Sequence, residues 1–217
     1  MNKFFFNFLF FLAISVGITK AQSTNYDTTV VDYEKIYYSW EEAMWMPKRV
    51  CNLYLYNQGI DTLSSRISEM KNLRVLFLKK NRIKILPYQI GTLAHLKKLN
   101  LAENKLVVLP SLFTNLDSLE ELDLSKNKLN ILPEDFGKLT NLKKLYLQEN
   151  NLTSLPSSIG ELQSLELLNL SFNELTVLPP EIRLLTNLKI LVLEGNDIDA
   201  HSKDIIQRFL KDTQVIY

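Results

Sequence analysis

The residues of this chain best suited to acid–base or nucleophilic chemistry are two histidines, His95 and His201, and a single cysteine, Cys51. A cysteine nucleophile needs a base within hydrogen-bond reach and a third group that orients the base. The two histidines stand 106 residues apart, and no GxxxxGK[ST], GxGxxG, HExxH or GxSxG motif is present. The sequence therefore predicts no catalytic residues, no metal ligands and no cofactor.

Cysteine count and charge exclude further classes of protein. One thiol allows neither an internal disulfide, nor a CxxC redox pair, nor a multi-cysteine zinc site. The 217 residues carry a formal net charge of +1, with 46 % hydrophobic and 23 % charged residues. Such a balance is ordinary for a soluble globular protein and argues against nucleic acid as a partner.

The N-terminal segment, residues 1–21, has the pattern of a signal peptide. Lys3 precedes an apolar run of 15 residues, from Phe4 to Ile18, and a small residue, Ala21, precedes the expected cut before Gln22. The run is short for a membrane span, which needs about 20 apolar residues. We expect a secreted or periplasmic protein with no stable membrane insertion after cleavage, although an uncleaved anchor is an open alternative.

Asparagine side chains that could bind a ligand recur at a period of 23 residues. They are Asn81, Asn104, Asn127, Asn150, Asn173 and Asn196. Each follows an LxxLxLxx stretch, and in five copies a Leu-Pro pair comes next. An imperfect copy starts at Val50, with Gln58 in place of the asparagine. The chain thus contains about seven copies of one unit.

Each unit predicts a short strand followed by a turn. The LxL spacing places alternate side chains on opposite faces, and one copy alone cannot bury its apolar face. Turning away from a parallel sheet leaves backbone N–H and C=O groups inside, and an asparagine amide can both donate to and accept from them. We expect the six asparagines to form an internal structural ladder rather than a ligand site.

The Leu-Pro pairs restrict the opposite side of each unit. Proline fixes its own φ and holds the preceding leucine in extended geometry. We expect this side to be irregular, with short 3₁₀ turns at most.

The sequence predicts helical caps at both ends of the repeats. Ser39 and Glu42 fit a capping box before a helix that places Trp40, Met44 and Trp45 over the first coil, or alternatively displays them as an aromatic ligand patch. At the other end Ser202 is suited to begin a helix, and residues 215–217 to add a strand. The expected organisation is a signal peptide (1–21), a mobile lead-in (22–32), an N-terminal cap (33–49), repeats (50–200) and a C-terminal cap (201–217).

The consensus LxxLxLxxNxLxxLPxxIxxLxx resembles the leucine-rich repeat family, in its short LPxxI type found in bacteria and plants. The resemblance covers residues 50–210. It implies an α/β fold: a right-handed solenoid with a parallel β-sheet on its concave face, an irregular or 3₁₀ convex face and helical caps.

The third, fifth and seventh positions of each LxxLxLxx stretch are expected to face outward on the concave side. The candidate partner-binding residues are Tyr54, Tyr56, Phe77, Lys79, Lys98, Asn100, Glu121, Asp123, Lys144, Tyr146, Leu167, Asn169, Ile190 and Val192, with Phe172 nearby. Solvent-facing strand positions in a pure scaffold would be mainly polar, whereas these combine aromatic, apolar and charged residues. Such a mixture favours protein recognition, although β-propensity alone also enriches strands in Tyr, Phe and Val.

The sequence thus predicts a monomeric, non-enzymatic module that binds a protein or peptide on the concave strand face. The alternative of a different class is a structural or adhesive surface protein, including one that binds glycans. Neither hypothesis names a ligand.

Overall fold

The computed structural model describes residues 31–217. The predicted signal segment, and the lead-in as far as residue 30, lie outside the described residues. Each coil places a strand on one side and a short 3₁₀ turn on the other.

A single parallel sheet of nine strands runs through these residues, in the same order as the chain. The strands are β1 (Ile36–Tyr37), β2 (Asn52–Tyr54), β3 (Val75–Phe77), β4 (Lys98–Asn100), β5 (Glu121–Asp123), β6 (Lys144–Tyr146), β7 (Leu167–Asn169), β8 (Ile190–Val192) and β9 (Gln214–Ile216). From β2 to β8 each residue pairs with the residue 23 positions later, as Leu76 does with Leu99. The repeat period therefore sets the register of the sheet.

Short 3₁₀ helices form the side opposite the strands, as the Leu-Pro pairs predict. They span Pro47–Arg49, Ser65–Glu69, Tyr88–Thr92, Ser111–Asn115, Phe136–Lys138, Ser157–Glu161 and Pro180–Leu184. The core between the two sides consists of stacked leucines and isoleucines, together with Phe113 and Phe136, nearly all of them fully buried. Glycine follows the buried apolar residue in three coils because adjacent turns touch there: a Cβ on Gly91 would collide with the carbonyl group of Leu112.

The repeated asparagines join neighbouring coils through backbone groups. Asn127 is a buried example: its amide nitrogen donates to the carbonyl oxygens of Leu101 and Leu124, each at 3.0 Å, and its Oδ1 accepts from the Leu106 N–H at 2.9 Å. Equivalent bonds are made by Asn81, Asn104, Asn150, Asn173 and Asn196. Each amide therefore satisfies buried polar groups of two consecutive coils.

A second set of side-chain bonds, which sequence reasoning did not separate from ordinary turns, precedes strands β3, β5, β6 and β8. The side chains of Asn72, Asn141 and Asn187 donate to carbonyl oxygens 24 residues earlier, each at 2.7 Å, and Ser118 does the same at 2.6 Å. His95 occupies the equivalent position and is exposed. This histidine therefore lies at the turn position that asparagine or serine occupies in the other coils.

Two details of the caps differ from the sequence predictions. Helix α1 (Trp40–Trp45) begins at Ser39, whose hydroxyl accepts from the Glu42 N–H at 3.0 Å. Trp40 and Met44 pack on the core, but Trp45 is 79 % exposed, so the expectation that it covers the first coil is wrong. Trp40 and Trp45 are five residues apart, which separates their directions by about 140° around an α-helix, so they face different sides.

Helix α2 (Ala200–Phe209) is capped by Asp199, whose Oδ1 accepts from the Ser202 N–H at 2.6 Å. The prediction of Ser202 as the cap is therefore wrong by three residues. Asp199 is as good an N-cap as serine, and its carboxylate also suits the positive end of the helix dipole. After α2 the chain returns to the sheet as β9.

Candidate functional site

The solvent-facing side of the sheet, which we call the strand face, arranges its side chains in rows that cross the strands. Because register follows the repeat, residues at one position of successive coils lie side by side. The central row contains Tyr54, Phe77, Asn100, Asp123, Tyr146, Asn169, Val192 and Ile216. The first row contains Ile36, Asn52, Val75, Lys98, Glu121, Lys144, Leu167, Ile190 and Gln214. The chemical character of the strand face therefore changes from one strand to the next along the solenoid.

Three rings form an aromatic cluster, Tyr38, Tyr54 and Phe77, at the N-terminal end. Tyr54 stacks on Phe77 with centroids 5.3 Å apart and planes at 9°, and Tyr38 lies 6.2 Å from Tyr54 in a tilted arrangement. Tyr38 is 63 % exposed, so this end of the cluster is open to solvent. Tyr56 stands one row away, half exposed, with the Lys80 ammonium 6.0 Å from its ring centroid.

A shallow pocket of about 190 Å³ adjoins the aromatic cluster. Tyr54, Val75 and Phe77 form its apolar wall. The opposite wall is polar and consists of Lys98, Asn100, Glu121 and Asp123. An apolar surface beside a few converging polar groups is the usual composition of a site that binds a side chain of a ligand.

The polar wall continues into a charged centre, which we define as Lys98, Glu121, Asp123, Lys144 and Tyr146. The Lys98 ammonium lies 3.4 Å from the Glu121 carboxylate. Asp123 is held firmly, because its Oδ2 accepts from the Asn100 amide at 3.0 Å and its Oδ1 from the Ser125 hydroxyl at 2.6 Å. Partial burial, with a smaller effect from the two carboxylates, raises the pKa of the Tyr146 phenol. Tyr146 is therefore a neutral hydrogen-bond donor at physiological pH.

The C-terminal end of the strand face is an apolar patch formed by Leu167, Ile190, Val192 and Ile216. The first three are partly buried, and Ile216 is 39 % exposed. Asn169 lies among them, but its Oδ1 accepts from both the N–H and the hydroxyl of Ser171, at 3.0 and 2.8 Å. The oxygen of that amide therefore supports the turn.

Phe172 adjoins this end of the strand face and is 52 % exposed. Its backbone has φ +53°, and its ring covers Gly195, where a Cβ would come 2.5 Å from the ring carbon Cδ1. A bulky residue in the left-handed region is uncommon and carries a steric cost. A glycine at position 195 is what leaves room for the ring.

Several sequence-predicted positions have other roles. The seventh position carries a small, buried residue in three coils, Ala102, Ser125 and Ser171. The hydroxyls of Ser125 and Ser171 donate to the strand-face side chains of Asp123 and Asn169, so they support these neighbours. Lys79 pairs with Glu103 at 3.2 Å in the following coil.

Asn52, on the first row, uses its amide nitrogen to hold the segment before β1. It donates to the carbonyl oxygens of Tyr33 at 2.8 Å and Lys35 at 3.2 Å.

Sequence reasoning missed four strand-face residues, Ile36, Tyr38, Gln214 and Ile216. They lie outside the repeats, on or beside the two edge strands, β1 and β9. The alternation of Ile36-Tyr37-Tyr38, with a buried Tyr37 between two exposed residues, is the signal that could have found the first pair.

The thiol and imidazole groups are placed in different environments. Cys51 is fully buried, and this burial raises the pKa of its thiol. His95 and His201 are exposed, on the turn before β4 and on α2. Among residues 31–217 no group of three or more His, Cys, Asp or Glu residues is arranged to hold a metal ion. In the same range, no helix has the length and apolar character needed to cross a membrane.

Coils of strand and 3₁₀ turn, stacked in chain order and joined by amide ladders, define a repeat solenoid. The sequence model described as a leucine-rich repeat region matches residues 51–148, and a second leucine-rich repeat model matches residues 140–198. The chain belongs to the leucine-rich repeat family.

Two solved structures with the same fold are receptors. The leucine-rich repeat ectodomain of the plant membrane receptor kinase GASSHO1/SCHENGEN3 from Arabidopsis thaliana, in complex with CASPARIAN STRIP INTEGRITY FACTOR 2, is 26 % identical with a TM-score of 0.68. The alignment covers 79 % of this chain and 22 % of that one. The plant peptide hormone receptor RGFR1 in complex with RGF2 is 27 % identical with a TM-score of 0.62, over 78 % of this chain and 32 % of that one. This chain thus spans a fifth to a third of the length of these receptors. A comparison with curated proteins found no match.

Proposed function

We propose that this chain is a non-enzymatic recognition module that binds a protein or peptide on its strand face. The observation that carries the proposal is the aromatic cluster, open to solvent at Tyr38 and continuous with the pocket and the charged centre. Aromatic side chains supply large contact area with few rotatable bonds, and they are enriched among the residues that dominate binding energy. One structure with this fold is a peptide hormone receptor in complex with RGF2, and the other is a receptor ectodomain in complex with CASPARIAN STRIP INTEGRITY FACTOR 2, which supports a protein or peptide partner here.

The distribution of chemistry along the strand face favours a ligand that extends across several strands. Aromatic, charged and apolar regions follow one another from β2 to β9, at one strand spacing of about 4.8 Å per coil. A segment with an apolar anchor at each end and polar groups between would match all three regions. The backbone beneath is held by the sheet and the asparagine ladder, so little ordering entropy is lost on this side of the complex.

Export from the cytoplasm is part of the same proposal. Residues 1–21 carry the signal pattern, and after their removal 23 basic and 24 acidic residues are left, because Lys3 and Lys20 are lost. Mass spectrometry of the exported chain should find Gln22 at its N-terminus. An N-terminus at Met1 on a membrane-bound product would instead support the uncleaved anchor.

Binding to a displayed peptide library and to proteins from the same host tests the function. One saturable protein or peptide ligand is the expected result. The variants Tyr54→Ala with Phe77→Ala, and Tyr146→Ala with Val192→Ala, should each weaken it by about 2 kcal/mol if they remove an anchor. The matched control is Ser157→Arg with Ser111→Arg, two exposed residues of the 3₁₀ helices on the side opposite the strands.

Two outcomes would count against the proposal. Loss of binding in the control, with normal binding in both strand-face variants, would place the ligand on the opposite side. Binding to glycans or whole cells alone, with no saturable protein or peptide, would favour the structural or adhesive alternative.

A further inference from the structure

After its interior asparagine, each coil runs along one side of the solenoid, which we call the flank. In the coil of Asn104 the flank consists of residues 105–108. Its backbone is regular there, because the residue after the asparagine donates its N–H to a carbonyl oxygen of the preceding coil. Lys105 donates to Ile83 at 2.9 Å, and Lys128 to Leu106 at 2.8 Å. The same bond recurs at residues 82, 151 and 174. Side chains at one repeat position therefore form straight rows on the flank, with about one strand spacing between neighbours.

One of these rows is apolar although it faces solvent. Ile85 is 70 % exposed, Val108 48 %, Ile131 59 % and Val177 55 %, and Ser154 is the one polar member between them. These side chains lie just before the Leu-Pro pairs. The leucines of those pairs belong to the core, whereas the row itself does not. Contiguous exposed apolar side chains on a soluble protein mark an interaction surface.

A second row on the flank has its positive charges at one end and its negative charges at the other. Its members, all exposed, are Arg82, Lys105, Lys128, Asn151, Glu174 and Asp197 in order along the solenoid. Three cations thus precede an amide and two anions, so like charges stand next to one another. Within residues 31–217 none of these three cations forms an ion pair, and the Asn151 amide donates to Glu174 at 3.1 Å.

In another row of the molecule, charges of opposite sign alternate and form ion pairs with one another. Glu120 lies between Lys97 and Lys143, at 2.7 and 2.8 Å. Lys189 pairs with Glu166 at 2.7 Å, one coil away. Charges of alternating sign stabilise stacked coils, whereas the separated charges of the flank repel within each block. The flank pattern therefore suits a surface that finds its opposite charges on another molecule.

A second copy of the chain supplies these opposite charges when it is turned end for end. The two-fold axis lies in the contact plane, perpendicular to the rows, between the coils of Lys128 and Asn151. This rotation places each row against the same row of the second copy, with the order of its residues reversed. Arg82 then faces Asp197 of the second copy, and Lys105 faces its Glu174. In the apolar row Val108 faces Val177 of the second copy, and Ile131 faces its Ser154. One operation thus pairs opposite charges in the charged row and brings the apolar side chains of both copies into one contact, as a self-complementary two-fold interface requires.

We propose that two copies of this chain associate antiparallel through the flank, with their strand faces outside the contact. This replaces the sequence-based expectation of a monomer and is independent of the proposed ligand. The apolar row supplies the buried area, and the charged row selects the antiparallel orientation, because a parallel alignment would place cation against cation. The partner is a second copy because the charged row, when reversed, places its cations opposite the anions of the first copy.

Sedimentation equilibrium of the purified chain over a wide range of concentration tests the proposal. We expect a reversible dimer. Two charge-reversed variants make the test specific: Arg82→Glu with Lys105→Glu, and Glu174→Lys with Asp197→Lys. Each alone should dimerise at least roughly tenfold more weakly, because like charges then face each other. Mixing the two should restore dimerisation, as a heterodimer in which every facing pair is again opposite.

The control reverses two exposed lysines away from the flank, Lys48→Glu with Lys71→Glu, and should leave the dimer unchanged. Circular dichroism confirms that each variant is folded. The apolar row is tested by Val108→Asp, which should also weaken the dimer. A chain that is monomeric at every concentration, reversed variants that dimerise normally, or a mixture that fails to recover the dimer would each overturn the proposal.

Discussion

The ring of Phe77 lies parallel to the ring of Tyr54 on the neighbouring strand, with their centroids 5.3 Å apart. The two residues are 23 positions apart in the chain and pair directly across β2 and β3. Offset-stacked rings contribute about 0.5–1.5 kcal/mol beyond the area they bury. The aromatic cluster therefore stabilises the first two coils, as well as presenting a surface.

The double substitution Tyr54→Ala with Phe77→Ala should lower the free energy of unfolding by about 1–3 kcal/mol, because it removes half-buried rings and their stacking. The single substitution Tyr56→Ala is the comparison, because this ring is half exposed and outside the stack. We expect it to change stability by less than about 0.5 kcal/mol. Urea unfolding of both variants measures the difference. Equal costs would show that the stack has no stabilising role.

Asn127→Leu should destabilise the fold through the ladder. It leaves the buried Leu106 N–H without an acceptor, whereas the carbonyl oxygens of Leu101 and Leu124 keep their bonds from Asn104 and Asn150. A buried donor left unpaired costs about 1–3 kcal/mol, which is the expected loss of unfolding free energy. Asn115→Leu, at an exposed position, serves as control. An unchanged melting temperature for Asn127→Leu would contradict a structural role for the ladder.

Acid should weaken one ion-pair row in a defined range of pH. Hydrogen bonds from the ammonium groups of Lys143 and Lys97 lower the pKa of the Glu120 carboxyl from 4.5 to about 2. Because the pKa of the folded state is the lower one, this stabilisation is complete above about pH 4.5 and is lost as pH falls toward 2. Its size is under about 1 kcal/mol, since the pairs are solvent-exposed. Glu120→Gln should reduce the pH dependence of unfolding in this interval, whereas Glu134→Gln should not.

The thiol of Cys51 should resist modification in the folded protein. It is fully buried, and burial raises its pKa, so both access and thiolate content are low. Labelling with a thiol reagent at mildly alkaline pH should be slow in buffer and fast in denaturant. Rapid labelling of the native chain would instead show that the first coil opens readily.

Much of the fold could be predicted because every coil contains the same 23-residue pattern, so the positions in one coil give those in the next. Leu76 and Leu99 had to pair once 23 residues made one coil, and the asparagines had to lie inside once the turns left backbone groups unpaired. The candidate site was only partly predictable. Outward positions such as Lys98 and Val192 follow from strand alternation, but the burial of Ser125 depends on its neighbours. Its hydroxyl donates to the Asp123 carboxylate, a contact that the repeat pattern does not specify.

The sequence by itself determined the solenoid, its period, its register and the order of chemistry along the strand face, because every coil repeats the same local pattern and pairs only with its neighbours. The tertiary structure decided which side chains of the two ends join the strand face. Tyr38 joins Tyr54, Ile216 joins Val192, and Trp45 points into solvent, although no repeat governs these residues. Their places follow from packing on exposed coil ends and from pairing with open strand edges, which are long-range interactions that the 23-residue repeat does not encode.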